Sequence, residues 1–165
     1  LFMVANVGPS AQVIKSLQRM NWDVPIVSHW GPAGGRFTEL AGPWSEKVEM
    51  IQTFTFSGND SPKAATMLEK LKKRFPEIKT AADVTPAVGI ANAYDAMHLT
   101  ALAIKNAGST KGPDIRKGFY AIDKHEGLIK TYEKPFTPEV HDALGPDDYV
   151  FTRFIKGEII PISGS

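Results

Sequence analysis

The hydrophobic pattern of this chain changes period several times, and each change predicts a switch between strand and helix. Residues 1–7 and 24–28 are short apolar runs, as expected of buried strands. Residues 9–20 lie between them and carry apolar side chains at three- and four-residue steps, which predicts a helix with one apolar face. Ser10, near the start of this helix, is predicted to cap exposed amides. A strand, a crossover helix and a second strand indicate a parallel α/β sheet.

The rest of the chain continues the α/β alternation. Gln52 interrupts the apolar face of the strand predicted at 48–56, so that face is not expected to be uniformly dry. The helix predicted at about 85–107 is apolar nearly all round, which predicts packing on both sides. Residues 57–62 form a turn-rich linker. The other predicted elements are helices at 34–40, 64–75 and 112–122 and strands at 149–155 and 158–162.

Composition narrows the class of protein. The 165 residues suffice for one domain or two small pieces, and 42% hydrophobic and 22% charged residues are ordinary for a globular protein. The 19 basic and 18 acidic residues are mixed and give a net charge of +1, so no nucleic-acid partner is predicted. The chain has no cysteine, which excludes disulfides and thiolate chemistry.

Catalytic, metal and cofactor signatures are all missing. The histidines at 29, 98, 125 and 141 have no metal-ligand spacing, so no metal site is predicted. The serines lack the Gly-x-Ser-x-Gly context of a hydrolase nucleophile. The Gly-Pro-Ala-Gly-Gly run at 31–35 has neither the lysine of a phosphate loop nor the spacing of a dinucleotide fingerprint. The sequence therefore predicts a protein that is not an enzyme and has no cofactor.

Polar and aromatic residues follow the first two predicted strands. Asn6 and Val7 end the first strand, and Ser28, His29 and Trp30 end the second. The carboxyl ends of neighbouring strands in a doubly wound sheet lie together, so these side chains are predicted to bind a ligand. Each also has a structural interpretation: a turn hydroxyl for Ser28, a structural hydrogen bond for His29, and a partly buried surface aromatic for Trp30.

Glu46 is the carboxylate of interest. It follows a Gly-Pro-Trp-Ser turn, where it is either a solvated side chain or a group at the rim of a cleft that pairs with a ligand ammonium. Both interpretations stay open at this point.

Four ordered segments carry a family resemblance. The chain resembles the C-terminal part of the substrate-binding proteins of branched-chain amino acid ABC transporters, the type I periplasmic binding proteins. The landmarks are an Ala-Gly-x-x-x-Glu turn before a strand, an Ala-Tyr-Asp-Ala helix, and a final segment with a Lys-Gly-Glu turn. The segments are LFMVANVGPSAQVIKSLQRMNWDVPIVS, FTELAGPWSEKVEMIQTFTF, ANAYDAMHLTALAIKNAGST and FTPEVHDALGPDDYVFTRFIKGEIIPI.

The resemblance implies a fold and a lobe assignment. The family fold has two α/β lobes, with Rossmann-like parallel sheets flanked by helices, joined by three crossover strands. Residues 1–56 then match the second half of lobe two, and residues 57–144 the returning part of lobe one. Residues 145–165 match the crossover back to lobe two and the C-terminal tail. The chain is expected to be a C-terminal fragment of such a receptor.

The resemblance also implies a function. The expected protein captures a small molecule in the cleft between the lobes and delivers it to a membrane permease. The ligand would be a branched-chain or other amino acid, an amide, or an aromatic or other organic acid. The full-length protein is expected in the periplasm, or outside the cell on a membrane anchor, with a signal sequence that this chain does not contain.

Site residues carry over unevenly. Glu46 is similar in spacing to the family glutamate that takes the ammonium of an amino-acid ligand. Asn6 and Val7 stand where the family often has an aromatic side chain. Tyr94 belongs to the Ala-Tyr-Asp-Ala element near the hinge. It is a candidate ligand-binding residue, and in its structural interpretation the hydroxyl joins helix to strand.

Two alternative functions are compatible with an α/β fold, and self-association of the chain is also expected. A ligand-sensing domain of the same fold in a signalling receptor is the alternative, and a flavodoxin-like enzyme ranks last because no cofactor loop supports it. A fragment with exposed apolar sheet edges and faces is also expected to self-associate and to bind ligand weakly.

Overall fold

A computed structural model describes residues 1–162. The chain forms two compact units, one from Leu1–Val88 with the segment that starts at Tyr149, the other from Gly89–Asp148. The boundary falls in the first turn of the longest helix, whereas the sequence places a linker at 57–62. The assignment of segments to lobes stays a prediction. The helices are α1 (Val7–Arg19), α2 (Phe37–Ala41), α3 (Pro62–Arg74), α4 (Ala87–Ala107) and α5 (Gly112–Tyr120). The strands are β1 (Phe2–Met3), β2 (Ile26–Ser28), β3 (Val48–Gln52), β4 (Lys124–Glu126), β5 (Thr131–Glu133), β6 (Val150–Ile155) and β7 (Glu158–Pro161).

The first unit is built on a five-stranded sheet in the order β1-β2-β3-β6-β7. β1, β2 and β3 run parallel, β6 runs antiparallel to β3, and β7 forms a hairpin with β6. The α/β class predicted from the sequence is confirmed, and the sheet is mixed because the last two strands return through a tight turn. Lys156 and Gly157 make that turn with positive φ angles of 51° and 85°.

Helices α1 and α2 cover one face of this sheet. Ile14 and Phe37 are fully buried between the helices and the strands, and Met50 faces them from β3. Complete burial of a side chain of this size stabilises the fold by about 1.5–3 kcal/mol. Apolar side chains at three- and four-residue steps lie on one face of a helix, so this spacing predicts the face of α1 that packs on the sheet. On the opposite face Phe2 remains 74% exposed and Phe151 38% exposed.

Three predicted features of the first unit differ from the structure. β1 ends at Met3 and the α1 helix already begins at Val7, so most of the run 1–7 is not a strand. Ser10 does not cap the helix: it is buried inside it, and its hydroxyl donates to the Ala5 carbonyl at 2.9 Å. β3 ends at Gln52, and residues 53–57 are buried but irregular.

The second unit packs α4, α5 and a short hairpin together. Leu99, Ala103, Ile122 and Tyr132 form its buried cluster. Gly118 allows α5 to approach α4, since a Cβ there would lie 2.0 Å from the Ala103 carbonyl oxygen. The β4–β5 hairpin was missed from the sequence because each strand has only three residues.

Helix α4 differs from the prediction that it packs on both sides. Leu99 and Ala103 are buried on one side, whereas Met97 is 72% exposed. Its end agrees with the prediction: Gly108 follows Ala107 with a φ of 58°, and its N–H donates to the Ile104 carbonyl. No helix within residues 1–162 has the length and hydrophobicity needed to cross a bilayer.

Candidate functional site

The carboxyl ends of β1 and β2 lie side by side, as the sequence predicts. Met3 pairs with Ser28 in parallel register. The two following loops touch, because Gly31 lies against both the His29 ring and the Ala5 carbonyl. A Cβ on Gly31 would lie 2.1 Å from His29 Cε1 and 2.3 Å from the Ala5 oxygen. Glycine at this position therefore lets the two strand ends converge.

Ser28 holds these strands together and does not face solvent. Its side chain is buried, and the hydroxyl donates to the Met3 carbonyl at 2.7 Å. The hydroxyl thus has a structural role, as a link between two strands and not as the turn hydroxyl suggested by the sequence, and a ligand contact of Ser28 stays a prediction.

His29 and Trp30 are presented at the edge. The Nδ1 atom of His29 accepts the Gly31 N–H at 2.5 Å, so the neutral ring carries its proton on Nε2 and can donate from there. Trp30 is 42% exposed, with its ring centroid 6.3 Å from that of His29. Both side chains thus offer an N–H donor on an aromatic ring.

Asn6 and Val7 lie at the start of α1, at the same edge. Asn6 is exposed at the N-cap position, and its side chain makes no hydrogen bond within the described chain. Val7 is partly buried against the core, and its Cγ2 atom would lie 3.7 Å from a Cβ placed on Gly35 in the next loop. The amide of Asn6 is therefore available to a ligand, whereas Val7 contributes mainly packing.

The carboxyl edge of β1 and β2 presents hydrogen-bond donors and partial positive charge. The first backbone N–H groups of α1 have no helical partner, and the helix dipole places partial positive charge at this end. Asn6, His29 and Trp30 add donors, and none of these three side chains carries a negative charge. The arrangement favours a ligand group that accepts hydrogen bonds, such as a carboxylate or carbonyl.

Glu46 lies elsewhere. It precedes β3, whose first residue, Val48, pairs with the start of β2. Its Oε1 atom accepts the Lys156 N–H at 2.8 Å, which fastens the β6–β7 turn. Glu46 is thus at the amino edge of the parallel strands, one strand length of roughly 13–17 Å from the carboxyl edge. The structure does not bring it together with Asn6, His29 and Trp30.

Tyr94 belongs to the second unit. Its ring lies 4.3 Å from that of His98, and its hydroxyl makes no hydrogen bond within the described chain. The joining role expected of this hydroxyl falls to the next residue, Asp95, whose carboxylate accepts hydrogen bonds from Leu128, Ile129 and Tyr132.

Gln52 stands out in the sequence as a polar residue on the apolar face of a strand, and no role is predicted for it there. It ends β3, is 1% exposed and lines a cavity of about 40 Å³ in the first unit. Its Nε2 atom has no hydrogen-bond partner among residues 1–162. The interruption of the apolar strand face is the sequence feature that indicates a buried polar side chain at this position. Among the same residues, no cluster of three or more His, Asp or Glu side chains suits a metal ion.

Comparison with known proteins gives the fold. No family model and no curated protein matches the sequence. Among solved structures, a type 1 periplasmic binding protein from Bordetella pertussis Tohama I aligns over 98% of this chain and 45% of its own, with a TM-score of 0.80 and 19% identity. The leucine-binding protein LivK from Thermotoga maritima aligns over 98% and 43%, with a TM-score of 0.75 and 16% identity.

A third structure, an ABC transporter solute-binding protein from R. palustris in complex with benzoate, aligns over 98% of this chain and 42% of its own, with a TM-score of 0.66 and 13% identity. The chain therefore has the type I periplasmic-binding-protein fold, as the resemblance predicts. It spans less than half the length of the structures that it matches.

Proposed function

We propose that this chain is part of a non-catalytic receptor that captures a small solute in a cleft between lobes and delivers it to a membrane permease of an ABC importer. The receptor would work in the periplasm or outside the cell. The observation that carries the proposal is the carboxyl edge of β1 and β2, where Asn6, His29 and Trp30 present donors without a charged acceptor. The fold supports it, because proteins of this fold include solute-binding proteins.

The donors favour a solute with a carboxylate or carbonyl group on a body that can pack against Trp30. The Asn6 amide and the His29 Nε2–H would fix the acceptor atoms, while the indole would cover the apolar part. Glu46 is not included, since its carboxylate is engaged with the Lys156 N–H at the other edge of the sheet. Amino acids, amides and organic acids all remain within this class.

Calorimetric titration of the protein encoded by the complete gene tests the proposal. The panel pairs carboxylates with their amides: branched-chain amino acids, benzoate and benzamide. Trp30→Ala is expected to weaken binding of the best ligand at least tenfold, and Trp22→Ala is the matched control. Trp22 is 55% exposed in the loop before β2, at the opposite edge. Absence of binding across the panel, or equal effects of the two variants, would contradict the proposed site.

Delivery to a permease requires a separate measurement. Reconstituted permease with the complete receptor should show ligand-dependent ATP hydrolysis. Ligand binding without any stimulation by the cognate permease would instead favour a sensing domain of the same fold.

A further inference from the structure

The second unit carries a pocket whose walls are mostly aromatic rings. Its volume is about 190 Å³, and it opens to solvent. An apolar cavity of about 150 Å³ binds benzene, so the pocket has room for one aromatic ring with a small substituent. The lining residues all belong to this unit: Arg116, Phe119, Tyr120, Phe136 and His141.

Helix α5 supplies three of the five lining residues from one face. Phe119 and Tyr120 follow Arg116 by three and four positions, and residues at these steps are neighbours on a helix surface. The two aromatic residues are half-buried, whereas Arg116 is exposed. The helix therefore presents a cation directly beside two aromatic rings.

The segment after β5 supplies the other wall. Thr137 folds this segment into a turn, because its N–H donates to the Val140 carbonyl at 2.9 Å and its hydroxyl accepts the Val140 N–H at 3.0 Å. Phe136 precedes this turn and His141 follows it. The turn thus brings two aromatic side chains, five positions apart in sequence, to the same part of α5.

Two ring pairs join the segment to the helix. Phe136 meets Phe119 edge to face, with ring centroids 5.2 Å apart. The Tyr120 hydroxyl lies 3.2 Å from His141 Nε2, and these two rings are only 11° from parallel, with centroids 6.1 Å apart. Parallel rings that touch through their polar edges at this centroid distance lie side by side. Neither ring therefore covers the face of the other, and together they offer a flat surface to a third ring.

Charge at the rim selects the ligand class. Of the five lining residues, Arg116 alone carries a permanent charge, and none of the ion pairs within residues 1–162 includes it. An arginine beside an apolar surface lays its stem on that surface and keeps its guanidinium in water. A guanidinium binds a carboxylate through two parallel N–H···O bonds. A ring with one carboxylate uses both the aromatic walls and the cation.

We propose that this pocket binds a small aromatic carboxylate, with the ring against the aromatic side chains and the carboxylate on Arg116. The site shares no residue with the carboxyl edge of β1 and β2, whose residues belong to the other unit. The inference does not depend on solute transport, because it rests on the rings and the cation of the second unit.

Histidine ring NMR on the protein encoded by the complete gene tests the proposal. The imidazole signals of His141 and His29 are assigned by their loss in His141→Gln and His29→Gln. Titration with benzoate should shift the His141 signal to saturation. Acetate, which has the charge without the ring, should leave that signal in place at the same concentrations. The His29 signal shows separately whether benzoate binds at the carboxyl edge, so the failure of one site is distinguishable from the failure of the other.

Arg116→Met tests the contact at the rim, since it removes the charge and keeps an unbranched stem. Benzoate binding, measured by the His141 shift, should weaken about threefold to fivefold, as expected for a solvent-exposed ion pair. Binding of benzyl alcohol, a neutral probe of similar size, should stay unchanged. Lys117→Met is the matched control, because Lys117 is exposed on the same helix and does not line the pocket.

Any of four results would overturn the proposal. The first is no saturable His141 shift with benzoate, as expected if another segment of the complete protein fills the pocket. The second is an equal His141 shift with acetate. The third is an equal loss of benzoate affinity in Arg116→Met and Lys117→Met. The fourth is a His141 shift that disappears in Trp30→Ala, because that shift would arise from binding at the carboxyl edge.

Discussion

Asp95 is the residue at which the structure makes its sharpest stability prediction. It lies on α4, and its carboxylate is 2% exposed. Its Oδ1 atom accepts the Leu128 N–H at 2.5 Å, and its Oδ2 atom accepts the Ile129 N–H at 2.9 Å and the Tyr132 hydroxyl at 2.8 Å. One side chain thus accepts two backbone N–H groups of the loop between β4 and β5 and the hydroxyl of Tyr132 in β5.

Asp95→Asn changes this arrangement with almost no change in shape. Asparagine has one acceptor oxygen, so when it faces Ile129 and Tyr132, its NH₂ group faces the Leu128 N–H. Leaving that N–H unpaired costs about 1–3 kcal/mol. The other two bonds lose the contribution of the negative charge, which is about half of their strength. We expect the free energy of unfolding of the second unit to fall by about 3 kcal/mol.

Urea unfolding and hydrogen exchange measure this effect. The backbone amides of Leu128 and Ile129 should lose protection in Asp95→Asn, because they exchange when the loop leaves α4. Asp123→Asn is the control, since Asp123 is exposed and its carboxylate makes no hydrogen bond within the described chain. A change below about 0.5 kcal/mol in Asp95→Asn, equal to that of the control, would refute the assignment of Asp95 as the anchor.

Three further outcomes are expected. Burial, followed by the hydrogen bond to a carboxylate, raises the pKa of Tyr132 above its ordinary value. The unfolded phenol ionises near pH 10, so stability should fall as pH rises above about 10, and Tyr132→Phe should flatten this dependence in urea unfolding between pH 8 and 11. Gly118→Ala should destabilise by about 1–3 kcal/mol in thermal melts, because its Cβ would clash with the Ala103 carbonyl, whereas Gly112→Ala has open space and serves as control. The chain alone should self-associate in light scattering at micromolar concentration, and Phe151→Lys, on the open sheet face, should shift it toward monomer; a monomeric parent chain would contradict this.

The periodic elements were predictable because their pattern reflects burial of one face. Ile14 and Leu17 on α1 and Val48 and Met50 on β3 are all buried where the 3.6- and 2-residue periods place them. The extent of each element was less predictable. β1 is two residues long because helix α1 begins only four residues after Met3, and an apolar run does not show where its backbone turns.

Sequence alone therefore determined the α/β class and the neighbouring ends of β1 and β2, since a short crossover helix joins adjacent parallel strands. Tertiary structure decided what each polar side chain does there. The Ser28 hydroxyl donates to the Met3 carbonyl, and the Glu46 carboxylate accepts an N–H of the β6–β7 turn, 110 residues further along the chain. Gln52 is one of the residues that line a cavity, and the walls of this cavity come from segments that only folding assembles. Hydrogen bonds between residues distant in sequence leave no local pattern, so only the tertiary structure shows these roles.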